Sequence, residues 1–181
     1  MKNYKIVIRF TTDYLQARFC EKAKEELENY ISQGIVKSEE DSWKVLLYED
    51  EKGIYIPNQQ IRGCLIAAGT DFKYKKTRKS MKQWAISHII IDPLKIHLDK
   101  KKPDFILQSN PPRKDGNRVS IKHPAFTKKT EIKFELKCLD DTMEDKAIKD
   151  LIEKAGIMYG IGARRRDMFG RFELIKFEKN K

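Results

Sequence analysis

The sequence contains few cysteines, and this excludes several kinds of protein. Its three cysteines, Cys20, Cys64 and Cys138, are odd in number and widely spaced. That pattern fits neither a disulfide framework nor a zinc site with paired Cys-x-x-Cys ligands. We therefore expect reduced cysteines in the core of a cytoplasmic protein, and we predict neither a metal site nor a cofactor.

Long apolar segments are also missing. The longest runs, such as residues 89–91 and 45–48, are far shorter than the roughly 18–20 residues of a membrane-spanning helix. The first ten residues lack the apolar stretch and small-residue cleavage site of an export signal. We expect no membrane anchor and no export signal.

What is present suffices for one folded domain. The chain has 181 residues, of which 40% are hydrophobic and 36% charged. This hydrophobic share supports a real core, and the length fits one domain of roughly 100–200 residues. We predict a single domain over residues 1–181 with an inserted basic thumb at about 70–130.

Positive charge is concentrated in the middle of the chain. The formal net charge is +11, and residues 61–139 carry 19 basic and 7 acidic residues, a net charge of +12. Residues 1–60 have a net charge of −2 and residues 140–181 a net charge of +1. A localised positive field indicates an anionic partner. Nucleic acid is favoured over a membrane because no basic helix with a wide apolar face accompanies the charge.

Hydrophobic periodicity predicts an α+β fold. The predicted strands are residues 5–10, 43–48, 85–91, 94–98, 131–139 and 172–177. The predicted helices are residues 13–34, 60–68 and 140–155, the last ended by Gly156. Residues 99–130 are rich in Lys, Pro, Asn and Asp and predict projecting hairpins with short strands at 105–107 and 119–121. The best match is a ferredoxin-like (RRM-type) antiparallel sheet with helices on one face and a protruding basic insertion.

The segment richest in binding chemistry is residues 159–172, which read YGIGARRRDMFGRF. Its glycines permit close backbone approach and positive φ, its arginines offer fork-shaped donors to phosphates, and Met168 and Phe169 can wedge or stack. The segment lacks the Lys-Ser/Thr pair of a Walker loop, and it follows a helix rather than preceding one as a dinucleotide fingerprint does. A tight connection with solvated or paired arginines is the alternative.

Two further clusters are basic. Residues 73–82 read KYKKTRKSMK, with six basic residues and no acidic one, and Tyr74 and Trp84 lie where bases could stack beside a basic track. A third cluster lies on a proline-bounded loop at 113–123. The candidate nucleic-acid-binding residues are Arg62, Lys73, Tyr74, Lys75, Lys76, Arg78, Lys79, Trp84, Arg113, Arg118, Lys122, His123, Gly160, Gly162, Arg164, Arg165, Arg166, Phe169, Gly170 and Arg171.

Catalytic patterns are sparse. The three histidines, His88, His97 and His123, are scattered, and we expect structural or surface roles for them. The adjacent carboxylates Asp140 and Asp141 are typical of a helix start. No catalytic residue is predicted, although RNA cleavage with His123 as a general acid or base is an open alternative.

Two segments resemble a known family. Residues 56–63, IPNQQIRG, are similar to the I-P-x-S-x-(I/L)-(K/R)-G segment of the RAMP superfamily, the CRISPR-associated RNA-binding proteins with ferredoxin-like folds. Residues 131–172, ending GIGARRRDMFGRF, resemble the glycine-rich loop and final strand of the same superfamily. The resemblance also fits a free-standing relative of this superfamily that is carried by a phage or mobile element.

The resemblance implies that the glycine-rich loop lies against RNA and that residues 73–82 are an insertion that grips the strand. The chain departs from the family in being short and in having Asn58 and Gln59 where small residues are usual. No segment matches the catalytic aspartate loop of target-cleaving members or the N-terminal histidine of RNA-processing ones.

We therefore predict a non-catalytic RNA-binding protein that holds single-stranded guide RNA by its backbone and assembles along it. Expected partners are single-stranded nucleic acid, RNA ahead of DNA, and other copies or subunits of a ribonucleoprotein involved in antiviral defence. A RAMP-type endoribonuclease and a single-stranded DNA-binding protein of a phage-like replication module are the alternatives.

Overall fold

The computed structural model describes residues 1–18, 25, 42–75, 77–110, 116 and 120–180. Its strands are β1 (Lys2–Phe10), β2 (Tyr14–Leu15), β3 (Glu49–Asp50), β4 (Gly53–Pro57), β5 (Ile89–Asp92), β6 (Lys95–His97), β7 (Phe105–Ser109), β8 (Ile121–Phe126), β9 (Glu131–Cys138) and β10 (Phe172–Lys179). Its helices are α1 (Asn58–Ala68), α2 (Met81–His88) and α3 (Asp145–Lys154). Single helical turns lie at Ser42–Leu46, Ala155–Tyr159 and Arg165–Asp167.

The main sheet has the strand order β10-β1-β9-β5, and every neighbouring pair is antiparallel. Helices α1 and α2 connect β1 to β5, and α3 connects β9 to β10. This arrangement, in which two strand-helix-strand units interleave in one antiparallel sheet, is ferredoxin-like. The predicted fold class is confirmed.

One face of this sheet and the helices enclose the core. Side chains alternate along β1, so Tyr4, Ile6, Ile8 and Phe10 are buried while the residues between them are half-buried or exposed. Each fully buried aliphatic side chain contributes about 1.5–3 kcal/mol of hydrophobic stabilisation before entropy is counted. The rest of this core includes Ile61 and Leu65 of α1, Ile132, Phe134 and Leu136 of β9, and Ile148, Leu151 and Ile152 of α3.

Two small sheets adjoin the end of β1. One has the order β2-β8-β7, in which β7 matches the strand predicted at 105–107, while β8 begins at Ile121, the last residue of the strand predicted at 119–121, of which Val119 lies outside the described residues. The other has the order β3-β4-β6, and β4 leads directly into α1 through Pro57. The short strand β2 follows β1 after a turn at residues 11–13, so the small β2-β8-β7 sheet is tied to the main sheet.

The helix predicted at residues 13–34 does not begin where the sequence pattern places it. Tyr14 and Leu15 are fully buried in β2 and pair with Phe126 and Ala125. The Asp13 carboxylate does not cap a helix but accepts a hydrogen bond from the Lys128 backbone N–H at 2.8 Å. Residues 16–18 are not helical, Glu25 is helical, and the rest of that prediction lies outside the described residues.

Two predicted strands are wrong in part. The first half of residues 43–48 forms a 3₁₀ turn, Ser42–Leu46, closed by the Leu47 N–H and the Lys44 carbonyl. Residues 85–88 belong to α2, because Met81, Trp84 and Ala85 recur at helical spacing and bury one helix face.

The end of α3 also differs from the prediction. Gly156 does not end the helix, which continues as a π turn, Ala155–Tyr159. A Cβ at Gly156 would lie 2.1 Å from the Phe172 carbonyl oxygen, so glycine is needed there for close packing against β10.

Cys64 and Cys138 are free and buried, as predicted, whereas Cys20 lies outside the described residues. In the part of the chain that the structure describes, no helix is long and apolar enough to span a bilayer.

Candidate nucleic-acid interface

The glycine loop, residues 160–171, is held in one shape by backbone hydrogen bonds. The Ile161 N–H donates to the Gly170 carbonyl and the Gly170 N–H donates to the Asp13 carbonyl, at 2.9 and 2.8 Å. The Ala163 N–H donates to the Leu15 carbonyl at 2.9 Å. The loop is therefore fastened to the turn that joins β1 and β2.

Glycines make this packing possible. A Cβ at Gly170 would lie 1.8 Å from the Ile161 carbonyl oxygen, and one at Gly162 would lie 2.4 Å from the Leu15 oxygen. Both have positive φ, as does Gly160, whose added Cβ would meet the Gly170 oxygen at 2.7 Å. The close approach that the glycines permit is thus to the protein's own backbone, and their predicted contact with nucleic acid stays a prediction.

The four arginines of the loop have different environments. Arg164 pairs with Asp167, with 2.7 Å between Nε and the carboxylate. The Arg171 side chain is only 9% exposed and donates from Nη2 to the Arg165 carbonyl at 3.1 Å. Burial removes Arg171 from direct contact with a strand on the surface, contrary to the sequence-based prediction. Arg165 and Arg166 are exposed and form no ion pair within the described ranges.

The tip of the loop also carries apolar side chains. Met168 is exposed with φ at 68°, and the adjacent Phe169 is half-buried. The Met168 carbonyl accepts a hydrogen bond from the Thr12 hydroxyl at 2.8 Å, and the Arg171 N–H donates to that hydroxyl oxygen. This linkage fixes the backbone of the tip, and the Met168 sulfur lies 3.5 Å from the Arg171 Nη2.

The basic loop, residues 73–82, forms a tight turn. Lys73 bridges to Ser80, and the Tyr74 N–H donates to the Lys79 carbonyl at 2.8 Å. Arg78, Lys79 and Lys73 are exposed there, whereas Lys76 lies outside the described residues. The Lys75 Nζ is 5.1 Å from the Tyr74 ring centroid and donates to the Thr142 hydroxyl.

Asp140 anchors this loop to the body of the protein. Its Oδ2 accepts the Trp84 indole N–H at 3.0 Å and the Tyr74 hydroxyl at 3.4 Å. Trp84 is 5% exposed and stacks on His88, so its ring has no open face for a base. The prediction that Trp84 stacks on nucleic acid is therefore wrong in this conformation, and Tyr74 is half-buried against the core.

The third basic cluster is only partly described. Arg113 and Arg118 lie outside the described residues, and Lys122 is half-buried in β8. His123 is 6% exposed, with Nδ1 3.4 Å from the Gln16 carbonyl. Burial lowers the pKa of His123, and the nearby Arg164 charge lowers it further. His123 is a core residue, contrary to its prediction as a contact residue.

Arg62 also has a structural role. Its Nε donates to the Ile89 carbonyl at 3.2 Å, and its Nη2 donates to the Ile86 carbonyl. The Asn58 side-chain amide donates to the Ile91 carbonyl at 2.6 Å. These α1 side chains occupy carbonyls of the edge strand β5 and, through the Ile86 carbonyl, of α2. Arg62 is half-buried and bonded to the protein's own carbonyls, and its predicted contact with nucleic acid stays a prediction.

The open face of the main sheet has no aromatic side chain among its described residues. It carries cross-strand ion pairs instead, including Arg9 with Glu131 at 2.7 Å and Lys137 with Asp92 at 2.8 Å. RRM domains stack bases on aromatic rings of this face. The open face therefore lacks the means of RRM-type base recognition.

The structure brings some predicted clusters together. Strand β2 lies between the glycine loop and β8, because Leu15 bonds to Ala163 and pairs with Ala125. The far end of α1 reaches the start of the glycine loop, where the Tyr159 hydroxyl donates to Asp71 at 2.9 Å. The glycine loop and the basic loop thus adjoin the same helix, α1.

One group of half-buried rings was missed by the sequence reasoning. Tyr48, Tyr55 and His97 lie together at the outer face of the β3-β4-β6 sheet. The alternation of Ile54, Tyr55 and Ile56 was the available signal, because it places Tyr55 opposite two buried residues. Within the described residues, no group of three or more His, Cys, Asp or Glu side chains is placed to hold a metal ion.

Sequence comparison provides no relative. No protein-family model matches the chain. No curated protein matches it either.

Comparison with solved structures does identify neighbours. A chain in the cryo-EM structure of the Type III-B Cmr-beta bound to cognate target RNA aligns with 99% of this chain, with a TM-score of 0.61 and 16% identity. A chain of a Type IV-B CRISPR complex aligns with 96% of this chain, with a TM-score of 0.51 and 10% identity. The alignments cover 61% of the first neighbour and 89% of the second. The predicted resemblance to RAMP-type CRISPR proteins is confirmed in the fold: this chain has the fold of subunits found in CRISPR complexes.

Proposed function

We propose that this chain is an RNA-binding subunit of a CRISPR-type ribonucleoprotein. It holds single-stranded guide RNA through the phosphate backbone and has no catalytic role of its own. The fold neighbours support the setting, since one comes from a complex bound to target RNA and the other from a CRISPR complex.

The observation that carries the proposal is the state of Arg165 and Arg166. Both guanidinium groups are exposed on a loop that hydrogen bonds hold rigid, and neither forms an ion pair in the described part of the chain. The fixed loop backbone positions both side chains, and the planar guanidinium fork matches the geometry of phosphate oxygens. The basic loop offers Lys73, Arg78 and Lys79 as further phosphate contacts on the other side of α1.

We also propose that residues of about 70–130 form a thumb, which is an insertion into the single domain over residues 1–181. A long hairpin such as β7–β8 extends a subunit along a bound strand. Several copies, or different subunits, would then assemble lengthwise on one RNA.

The positions of the histidines favour binding over cleavage. His123 is buried, and burial keeps it neutral by lowering its pKa. His88 stacks on Trp84, and its Nδ1 is 3.0 Å from the Trp84 carbonyl. A general acid or base must reach the proton that it transfers, and the burial of His123 and the Trp84 contacts of His88 make both imidazoles poor candidates for this role.

The test is the nucleic acid that the purified protein carries and prefers. We expect ribonuclease-sensitive material to copurify with it. Matched single strands labelled with a fluorophore should bind with RNA ahead of DNA, because only RNA presents the 2′-hydroxyl. Intact RNA should be recovered after incubation. Equal affinity for DNA would favour the single-stranded DNA-binding alternative, RNA cleavage would favour the endoribonuclease, and absence of binding to either strand would refute the proposal.

A further inference from the structure

Tyr55 lies at the centre of an aromatic ladder formed by Tyr48, Tyr55 and His97. The Tyr55 ring centroid is 5.8 Å from that of Tyr48 and 5.9 Å from that of His97, with interplanar angles of 56° and 59°. These tilted contacts resemble the edge-to-face geometry that aromatic pairs prefer. The ladder lies on the outer face of the β3-β4-β6 sheet, since Ile54 and Ile56 occupy the inner one.

The ladder is not an extension of the core. Other half-buried aromatic residues, such as Trp43, Tyr74 and Tyr159, pack against the buried cluster. Tyr48 and Tyr55 do not, although both are half-buried. Core packing therefore does not account for the two tyrosines.

Cations accompany the rings. The Lys95 Nζ is 4.8 Å from the Tyr55 centroid and 2.8 Å from the Asp50 carboxylate, whose other oxygen is 3.0 Å from the His97 Nε2. Asp50 thereby fixes both basic groups beside the tyrosine. The Asp50 hydrogen bond raises the pKa of Lys95, which keeps this cation beside the Tyr55 ring.

Gln16 connects the ladder to the glycine loop. Its amide nitrogen donates to the Tyr55 carbonyl at 2.9 Å, and its amide oxygen accepts the Tyr48 N–H at 2.8 Å. The preceding residue, Leu15, accepts the Ala163 N–H of the glycine loop. Leu15 and Gln16 are neighbours in the chain, so their Cα atoms are about 3.8 Å apart. The glycine loop and the ladder are therefore hydrogen-bonded to two adjacent buried residues.

From this placement we propose that the aromatic ladder stacks an unpaired base of the single strand whose phosphates contact the glycine loop. The inference rests on the proposed function and adds the base contact that the ion-paired open face of the main sheet cannot make. Aromatic rings beside cations are the usual platform for unpaired bases. Glu49 and Glu51 at the β3–β4 turn are exposed and repel phosphates, so we expect the backbone of the strand to pass on the side of Lys95.

The test distinguishes contacts to the bases from contacts to the phosphates. Affinities of the wild type, Tyr55→Leu and Tyr55→Phe are measured for one single-stranded RNA and for a strand of the same length in which every nucleotide is abasic. Tyr55→Leu should weaken binding of the intact strand by about 5- to 150-fold. It should leave the abasic strand within about twofold of wild type, and Tyr55→Phe, which keeps the ring, should stay within about twofold on both strands.

Equal loss on both strands would show that Tyr55 acts structurally, and no loss on the intact strand would also overturn the inference. Either result leaves the proposed function standing if the wild type binds the abasic strand. A second measurement needs no variant: iodouracil placed in the RNA should photocrosslink to Tyr48, Tyr55 or His97 in the wild-type protein. Crosslinks confined to residues outside the ladder would contradict the stacking site.

Discussion

At the scale of the residue, the arginines of the glycine loop show why composition alone does not identify a binding site. Arg164 forms an ion pair with Asp167, and the Arg171 side chain stabilises the loop by donating a hydrogen bond to the Arg165 carbonyl. Arg165 and Arg166 remain available. The run of three arginines was visible in the sequence, but their partners depend on how the loop folds, which the sequence pattern does not specify.

Two glycine substitutions should have opposite effects on stability. Gly170→Ala places a methyl group 1.8 Å from the Ile161 oxygen at a φ of +70°, whereas Gly63→Ala meets no atom within 4 Å on a helix. We expect Gly170→Ala to lower the free energy of unfolding by about 2–5 kcal/mol. Gly63→Ala should raise it by about 0.5–1 kcal/mol, because alanine favours the helix. Urea denaturation of both variants measures the difference, and equal stability would contradict the described loop packing.

At the scale of the element, hydrophobic periodicity predicted helices and strands well, whereas the strand propensity of individual residues did not. The alternation of β9 and the helical spacing of α1 follow directly from burial on one side, and these elements lie where the sequence places them, whereas α3 begins at Asp145 instead of near Asp140. Residues 43–48 are rich in strand formers, yet the chain runs beside β4 only from Tyr48, where Gln16 accepts its N–H. That contact joins residues 32 positions apart and has no local signal.

The attachment of the basic loop should depend on pH. The pKa of Asp140 is lowered from 3.8 to about 2, chiefly by hydrogen bonding from Thr142 and further by the Trp84 N–H. Because the folded-state pKa lies below the ordinary value, the stabilisation is present above about pH 4 and is lost as the pH falls towards 2.

Asp140→Asn should therefore lower the free energy of unfolding by about 1 kcal/mol at neutral pH, which corresponds to roughly 2–4 °C in Tm. The difference from wild type should shrink as the pH approaches 2. Asp141→Asn is the matched control, since Asp141 is 65% exposed and pairs only with the chain's N-terminus among the described residues. Thermal melts across the acidic range measure the effect. A difference in Tm between Asp140→Asn and wild type that stays constant at every pH would argue against the Asp140 carboxylate as the anchor.

At the scale of the whole molecule, net charge led to the prediction of an anionic partner but did not locate the surface that would bind it. The excess of +12 in residues 61–139 includes Lys95 and Lys137, which pair with Asp50 and Asp92. The nearly neutral last segment contains Arg165 and Arg166, which are exposed and form no ion pair with any residue that the structure describes. The glycine loop was therefore found by its motif, while the aromatic ladder depends on strand pairing and was not predicted.

The central claim is that Arg165 and Arg166 hold the phosphates of a single strand, and the salt dependence of RNA binding tests it most directly. Each phosphate neutralised on a single strand contributes about −0.7 to the slope of log affinity against log salt concentration. The double variant Arg165→Gln/Arg166→Gln should bind more weakly and have a slope about 1.4 smaller in magnitude than that of wild type. Lys5→Gln/Lys133→Gln removes two exposed charges from the open sheet face and should keep the wild-type slope. An unchanged slope in the arginine variant, or an equal change in both variants, would contradict the account.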